Sequence, residues 1–311
     1  MGLAFLFGGP GLAVPGMGKD LYNKSPVVRE SVDKADKVMT ELGGVRPTKA
    51  AFAGDSELIR RPSVGGPASL ALAHGVVAAL KAKRVHPNYA AGLGWGELLA
   101  MGALGGIDYD TALRLLYERG LKVEEAWARA PWFALSVQGL APEALEPKLQ
   151  ALPDPPVRAA TIGPDQFVLT GSEALLLRLH ELLAKLGRGV KVTPVEPGWH
   201  WPHPSLQPVG NWAQAQLEAA PKEHLATPLQ GAEDVEACRQ VREWPARAAH
   251  AAAALDWMAA CRRLKAMGMD TAIEIGHGSA LGAALHAADH DVRVLATEDI
   301  AAFSQALKLA H

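Results

Sequence analysis

The segment Ala90-Ala91-Gly92-Leu93-Gly94-Trp95-Gly96-Glu97-Leu98-Leu99 has the spacing of a G-x-S-x-G nucleophile elbow, with glycine where the serine belongs. In such an elbow a strand turns sharply into a helix and lifts the serine oxygen above a sheet, poised to attack an acyl carbon. Gly94 adopts the required backbone angles at little cost but carries no oxygen. Read alone it is a turn glycine. Two further features could do chemistry. Arg119 carries a planar fork that fits a carboxylate, although a surface pairing with Glu118 or Glu124 also explains it. Trp199-His200-Trp201-Pro202-His203 supplies two imidazoles that could take up a proton.

Other chemistries are disfavoured by spacing. The H-x-x-H of His200 and His203 lies in a proline-broken loop without a third ligand nearby, so no metal is expected. Gly18-Lys19 is followed by Asp20, and Ala13 holds the first glycine position, so the N-terminal loop is not a P-loop. Gly92-x-Gly94-x-Gly96 misses G-x-G-x-x-G because Glu97 stands in the third glycine slot. No cofactor is expected. Ser69, Ser136 and Ser279 are alternative nucleophiles, but none stands on an elbow.

These residues need elements to hold them. Leu3 to Phe7 reads as a buried strand entering the glycine loop that follows. Amphipathic helix is expected over 27–42, a buried alanine-rich helix over 67–82, and a helix carrying Arg119 capped by Asp108 or Asp110. The pattern changes near residue 130. Strands at 132–140, 158–162, 167–170 and 190–195 alternate with helices at 142–152 and 173–186, the latter capped by Ser172. That is the βαββαβ order of a ferredoxin-like module. Helix over 246–267, strand at 271–275, strand at 292–296 and helix at 300–309 complete the chain. The fold class is therefore α/β: an α/β-hydrolase-like parallel-sheet large domain (1–129 and 196–311) with an inserted ferredoxin-like α+β small domain (130–195).

A chain of 311 residues, 49% hydrophobic, can bury a sizeable core. Its net charge of −2 gives no field for nucleic acid or an anionic membrane. Cys238 and Cys261 form no C-x-x-C pair, and the apolar start is too short to span a bilayer. A cytoplasmic protein is expected.

In this order the pieces resemble the malonyl-CoA:acyl-carrier-protein transacylases of fatty-acid synthesis and the acyltransferase domains of polyketide synthases. Phe5-Leu6-Phe7 through Gly16-Met17-Gly18 is similar to the family's opening strand, F-P-G-Q-G-S-Q loop and G-M-G segment. Gly66-Pro67-Ala68 falls on Q-P-A, and Gly92 to Glu97 on G-H-S-L-G-E. Glu118-Arg119-Gly120 matches the arginine-glycine helix, Val195 to His200 the V-S-x-P-F-H loop, and Glu274 to Gly278 the E-V-G-P-G turn. The resemblance implies a serine acylated by malonyl-CoA and a histidine base. It further implies two oxyanion N–H donors, an arginine clamp on the malonyl carboxylate, and an acyl carrier protein as partner.

Carried over, most of that chemistry is missing. The nucleophile position is Gly94, the preceding histidine is Leu93, and the glutamine before Pro67 is Gly66. One oxyanion donor falls on Pro10, which has no N–H, leaving Trp95. Losing one such donor typically costs about 2.7–4 kcal/mol in the barrier. A family asparagine falls on Ile162, and the residue orienting the base lies near Ala253. Arg119 survives, with His200 as the base position, or His203 if the loop is aligned with a gap. Trp199 stands where the family has a smaller residue beside the acyl group, so a partly filled pocket is expected. The resemblance thus implies a binder or scaffold for acyl-CoA or acyl carrier protein with lost or impaired malonyl transfer. The alternative is an active [acyl-carrier-protein] S-malonyltransferase that uses another nucleophile or direct transfer between thioesters.

Overall fold

The computed structural model describes residues 2–9, 13–185, 189–195, 197–221, 223–232 and 252–310. The first strand, β1 (Leu3–Phe7), is buried at all its positions, as a strand covered on both faces must be. It pairs in parallel with β2 (Tyr89–Gly92) on one side and β9 (Thr271–Ile275) on the other. With β7 (Leu229–Gly231) and β10 (Arg293–Ala296) these make a five-stranded sheet of order β10-β9-β1-β2-β7, parallel throughout. Alternation along β1 splits the core. Leu3, Phe5 and Phe7 face one apolar cluster, while Ala4 and Leu6 face another.

Helices α1 (Lys19–Lys24), α2 (Pro26–Glu41), α3 (Pro47–Phe52), α4 (Ser56–Arg60) and α5 (Pro62–Ala82) lead from β1 to β2. α6 (Gly96–Leu104) and α7 (Tyr109–Arg129) follow β2, and Asp108 caps α7 by accepting from the Thr111 N–H. α5 begins five residues before the sequence pattern indicates, because its first turn is capped from a neighbour. Glu124 of α7 accepts from the Ser63 N–H at 2.9 Å and from its hydroxyl at 2.5 Å. Gly120 makes this approach possible: a Cβ there would overlap the Ser63 backbone. α5 is long and apolar enough to cross a membrane, yet 83% of its most apolar window is buried inside the protein. It is a core helix.

The second sheet comprises β3 (Phe133–Gln138), β4 (Val157–Gly163), β5 (Gln166–Gly171) and β6 (Lys191–Pro194), with α8 (Pro142–Gln150) after β3 and α9 (Glu173–Ala184) after β5. These strands lie in the order β6-β3-β5-β4, every neighbouring pair antiparallel. This is βαββαβ order, with Ser172 capping α9. After β6 the chain forms α10 (Gln207–Ala219) and returns to the main sheet at β7.

One expectation is corrected here. The alanine-rich helix expected over 246–267 is shorter, and its first part, 246–251, lies outside the described residues. Leu255–Asp256 form a two-residue strand, β8, parallel to β4 at the edge of the second sheet. Helix α11 (Trp257–Ala266) starts only after it, capped by Asp256 accepting from the Ala259 N–H at 2.8 Å. Asp256 is a good cap and a poor interior residue, so the helix begins there. α12 (Ala280–Ala288) and α13 (Ile300–Leu307) close the fold.

Candidate functional site

The elbow lies at the C-terminal end of β2, beside the end of β1, at the sheet edge where parallel α/β folds place ligands. Its three glycines have separate reasons. A Cβ at Gly92 would overlap the backbone of Glu97, and one at Gly96 would overlap the Phe7 carbonyl. Gly94 at the apex has φ +55°, the left-handed region that side chains rarely adopt. Hydrogen bonds from Leu93 N–H to the Phe7 carbonyl (3.1 Å) and from Glu97 N–H to the Gly94 carbonyl (3.0 Å) fasten the turn. The Trp95 N–H takes no part in those bonds. Strand, sharp turn and helix are retained; the apex offers no reactive atom. Pro10, the other oxyanion position, lies outside the described residues.

Among the described residues, the side-chain atoms nearest the apex are hydrocarbon. A Cβ at Gly94 would come within 3.1 Å of the Leu255 Cδ1. Leu255 shares an apolar cluster with Leu93, Ile162, Val195 and Trp201. Leu93 and Ile162 hold the positions where the resemblance would put histidine and asparagine, so the cluster needs no hydrogen-bond partners. Ala253 lies in the turn before β8. Gly66 is buried on α5, where a Cβ would sit 3.6 Å from the Leu116 side chain.

Arg119 is the exception to this apolar character. It is 6% exposed, and Glu124, a partner its sequence neighbourhood offers, is committed to Ser63 and to Arg61 at 2.6 Å. Its Nε has no hydrogen-bond partner, and no described carboxylate pairs with it. Instead its guanidinium carbon lies 3.2 Å from the centroid of the Trp95 ring. Burial drives its pKa well below the usual range. A desolvated cation–π contact is worth about 2 kcal/mol or more, against a desolvation penalty of several kcal/mol for a buried ion. Trp95 offsets part of that cost and leaves the edge of the fork for an anion.

The two loop histidines separate. His200 accepts a hydrogen bond from the Trp199 indole N–H at its Nε2, 3.2 Å away. Desolvation, and then the positive charge of Arg119, lower its pKa to about 4, while a hydrogen bond to the Arg60 backbone acts in the other direction. It is therefore neutral, with its basic lone pair occupied by the indole. His203 stacks on Trp132, ring centroids 5.0 Å apart and planes 3° from parallel, and its Nδ1 accepts from the Ser205 N–H. Of the two, His200 stands within the electrostatic reach of Arg119; His203 is a packing and capping residue. The ring of Trp199 packs edge-on against Trp127 at 5.1 Å. Leu255 covers the apex, a contact the expectation of a pocket partly filled by Trp199 did not include.

Alternative nucleophiles fare no better. The Cys261 thiol is buried and pushed up to about 12, so it is not a thiolate near neutrality. Cys238 lies outside the described residues. Among the described residues, serine–histidine contacts occur at Ser31 with His74 and Ser205 with His203, and neither involves Ser69, Ser136 or Ser279.

Sequence reasoning missed Leu255 and the Trp95–Arg119 stack. Leu255 reaches the apex through a two-residue strand with no periodicity to betray it. A tryptophan directly after the apex was visible, but its partner 24 positions on is fixed only by the packing of α7 against α5.

Comparison with known proteins agrees with this geometry. The family model described as acyl transferase domain matches residues 4–222. The malonyl CoA-acyl carrier protein transacylase of Bacillus subtilis is 25% identical over 304 residues, covering 96% of this chain and 93% of that protein. Polyketide synthase GfsA of Streptomyces halstedii is 27% identical over 289 residues, 90% of this chain but 4% of that much longer protein. Among solved structures, a malonyl-transacylase held in complex with its type II polyketide synthase acyl-carrier protein superposes with a TM-score of 0.90. That pair is 21% identical and covers 99% of this chain and all of the other. The corresponding enzyme from Streptococcus pneumoniae gives 0.87 at 24% identity, covering 99% of each chain. At those identities the superpositions establish the fold. The family match over most of the chain, together with the elbow at the end of β2, establishes more: this protein belongs to the acyl transferase domain family.

Proposed function

We propose that the protein binds acyl thioesters bearing a free carboxylate, on coenzyme A or an acyl carrier protein, and does not transfer the acyl group by a serine route. The single observation carrying this reading is Arg119, a buried cation stacked on Trp95 without a described carboxylate, beside an elbow whose apex is Gly94. The anion site supports binding; the vacant apex, the hydrocarbon above it and the occupied His200 lone pair support loss of transfer. The relatives act on malonyl-CoA and acyl carrier protein by their names, and the shared scaffold supports the same ligand class here. Trp95 would be the surviving oxyanion donor, with Leu93, Gly66 and Trp199 as wall residues. We further propose the division into 1–129 with 196–311 and 130–195, β8 being the point where the large part lends a strand to the small sheet.

The reading is tested with malonyl-CoA. Calorimetry is expected to show saturable binding to the native chain, with transfer to a carrier protein at the uncatalysed rate. Gly94→Ser alone is expected to leave transfer at background. A serine at φ +55° costs about 1–3 kcal/mol, and Leu255 meets its side chain. Adding Leu255→Ala removes that obstruction but not the occupied His200, so at most slow self-acylation is expected. Rapid turnover by Gly94→Ser would refute the argument that the surroundings, and not just one atom, have changed.

A further inference from the structure

A cavity of about 490 Å³ lies between α5 and the α6–α7 connection, at the end of α6 remote from the elbow. α6 has nine residues and so separates its two ends by roughly 13 Å. Neither Arg119 nor Trp95 lines this cavity. Its polar groups, His74, Lys81, Asp108 and Glu223, are not among those of the acyl site.

His74 on α5 presents a ring nitrogen. Tyr109 donates its hydroxyl proton to the Ser31 carbonyl at 2.9 Å. Ser31 Oγ lies 3.0 Å from the Ala71 carbonyl and 3.2 Å from the Tyr109 hydroxyl. His74 Nδ1 hydrogen-bonds the same Oγ at 2.9 Å. That engages Nδ1 and leaves Nε2 for a ligand, while the ring stacks on Tyr109 with centroids 4.1 Å apart. Burial, with Lys34 and Lys81 nearby, holds this histidine neutral.

Lys81, about two helical turns further along α5, supplies a cation. It is half-buried, its pKa is lowered by desolvation, and no described carboxylate pairs with it. Lys34, the other cation near His74, is already paired with Asp110 at 2.7 Å. Asp108, engaged in capping α7, and Glu223 add two carboxylates to the lining. Val77, Ala78 and Ile107 make up an apolar wall.

We propose that this cavity is a second ligand site, for a small monoanion that carries a hydroxyl: a short hydroxycarboxylic acid. The carboxylate pairs with Lys81, the hydroxyl hydrogen-bonds to His74 Nε2 as donor or acceptor, and the alkyl part lies on the wall formed by Val77 and Ile107. The carboxylates of Asp108 and Glu223 repel a second negative charge, so dicarboxylates and phosphate dianions are excluded. The two sites thus divide their ligands by charge: a distal carboxylate on a thioester at Arg119, a free hydroxy acid at Lys81.

The test is calorimetry on the full chain with 3-hydroxybutyrate as probe, alongside butyrate, malonate and inorganic phosphate. Saturable binding of 3-hydroxybutyrate is expected, with butyrate weaker by about fivefold for one lost hydrogen bond. Lys81→Met is expected to weaken 3-hydroxybutyrate by about tenfold or more, the loss of a charged partner. Ala78→Leu fills the cavity without touching charge and is expected to abolish binding, whereas Arg119→Met leaves it unchanged. No binding at millimolar probe overturns the proposal, as does binding indifferent to both Lys81→Met and Ala78→Leu. Binding lost in Arg119→Met assigns the probe to the acyl site and overturns it equally. Since malonyl-CoA affinity is read separately, the two sites can fail independently.

Discussion

Arg119→Met is expected to raise the unfolding free energy by about 1–4 kcal/mol while reducing malonyl-CoA affinity at least thirtyfold. The two effects share one cause. A 6%-exposed guanidinium without a described carboxylate has lost its hydration and recovered only the face of Trp95. Replacing even a buried ion pair by apolar side chains of similar volume is often neutral or stabilising by about 1–4 kcal/mol, and a buried cation without a described carboxylate has less attraction to lose. Methionine also adapts its shape and keeps a favourable contact with the indole ring. Removing one partner of a desolvated charge pair costs about 2–5 kcal/mol in binding, which sets the expected loss of affinity. Denaturant unfolding and calorimetry measure the two sides. A marked loss of stability would mean that Arg119 is already satisfied within the protein and that the ligand argument has no foundation.

Acid lability is the second large effect. His74 and His200 both have pKa values lowered to about 4, from desolvation first and neighbouring cations second. The folded state therefore binds fewer protons than the unfolded chain between the ordinary histidine value near 6.5 and about 4. Stability is fully present above 6.5 and is lost as pH falls through that window. Each group contributes up to about 3 kcal/mol, and His203 shifts in the same direction. Glu274 opposes them: burial raises its pKa, so folding gains as it protonates, although the N–H groups of Leu281 and Gly282 hydrogen-bond its charged form. Two histidines outweigh one partly compensated carboxyl. Unfolding free energies measured from pH 7.5 to 4.5 are expected to fall by several kcal/mol, and His200→Leu is expected to flatten the curve. A profile that stays level across this range would show that the two imidazoles are hydrated.

Much of this could be read in the sequence for physical reasons. The run Leu3 to Phe7 is apolar without alternation, and a parallel strand covered on both faces demands that. Gly92 and Gly96 flank an apex because backbone passes within contact of both. Ser172 and Asp108 announce helix starts through oxygens that accept from backbone N–H groups. What stayed hidden depends on distant packing. β8 is two residues long, so neither period nor propensity marks it, yet it carries the side chain that covers Gly94. Whether Arg119 is a surface residue or a buried one turned on Glu124, which the start of α5 claims first. The surroundings of His200 and His203 were equally hidden, since Trp199 and Trp132 each engage one of the two rings in a geometry the sequence does not show.

The central claim is that an acyl-exchange scaffold has kept its anion-binding arginine while the atom that would carry the acyl group is absent. Mass measurement of the intact native protein after incubation with malonyl-CoA tests it most directly. The expected result is an unchanged mass, with malonyl-CoA bound reversibly and released intact on denaturation. A stable gain of one malonyl group on any side chain would contradict the account and place a nucleophile elsewhere in the chain.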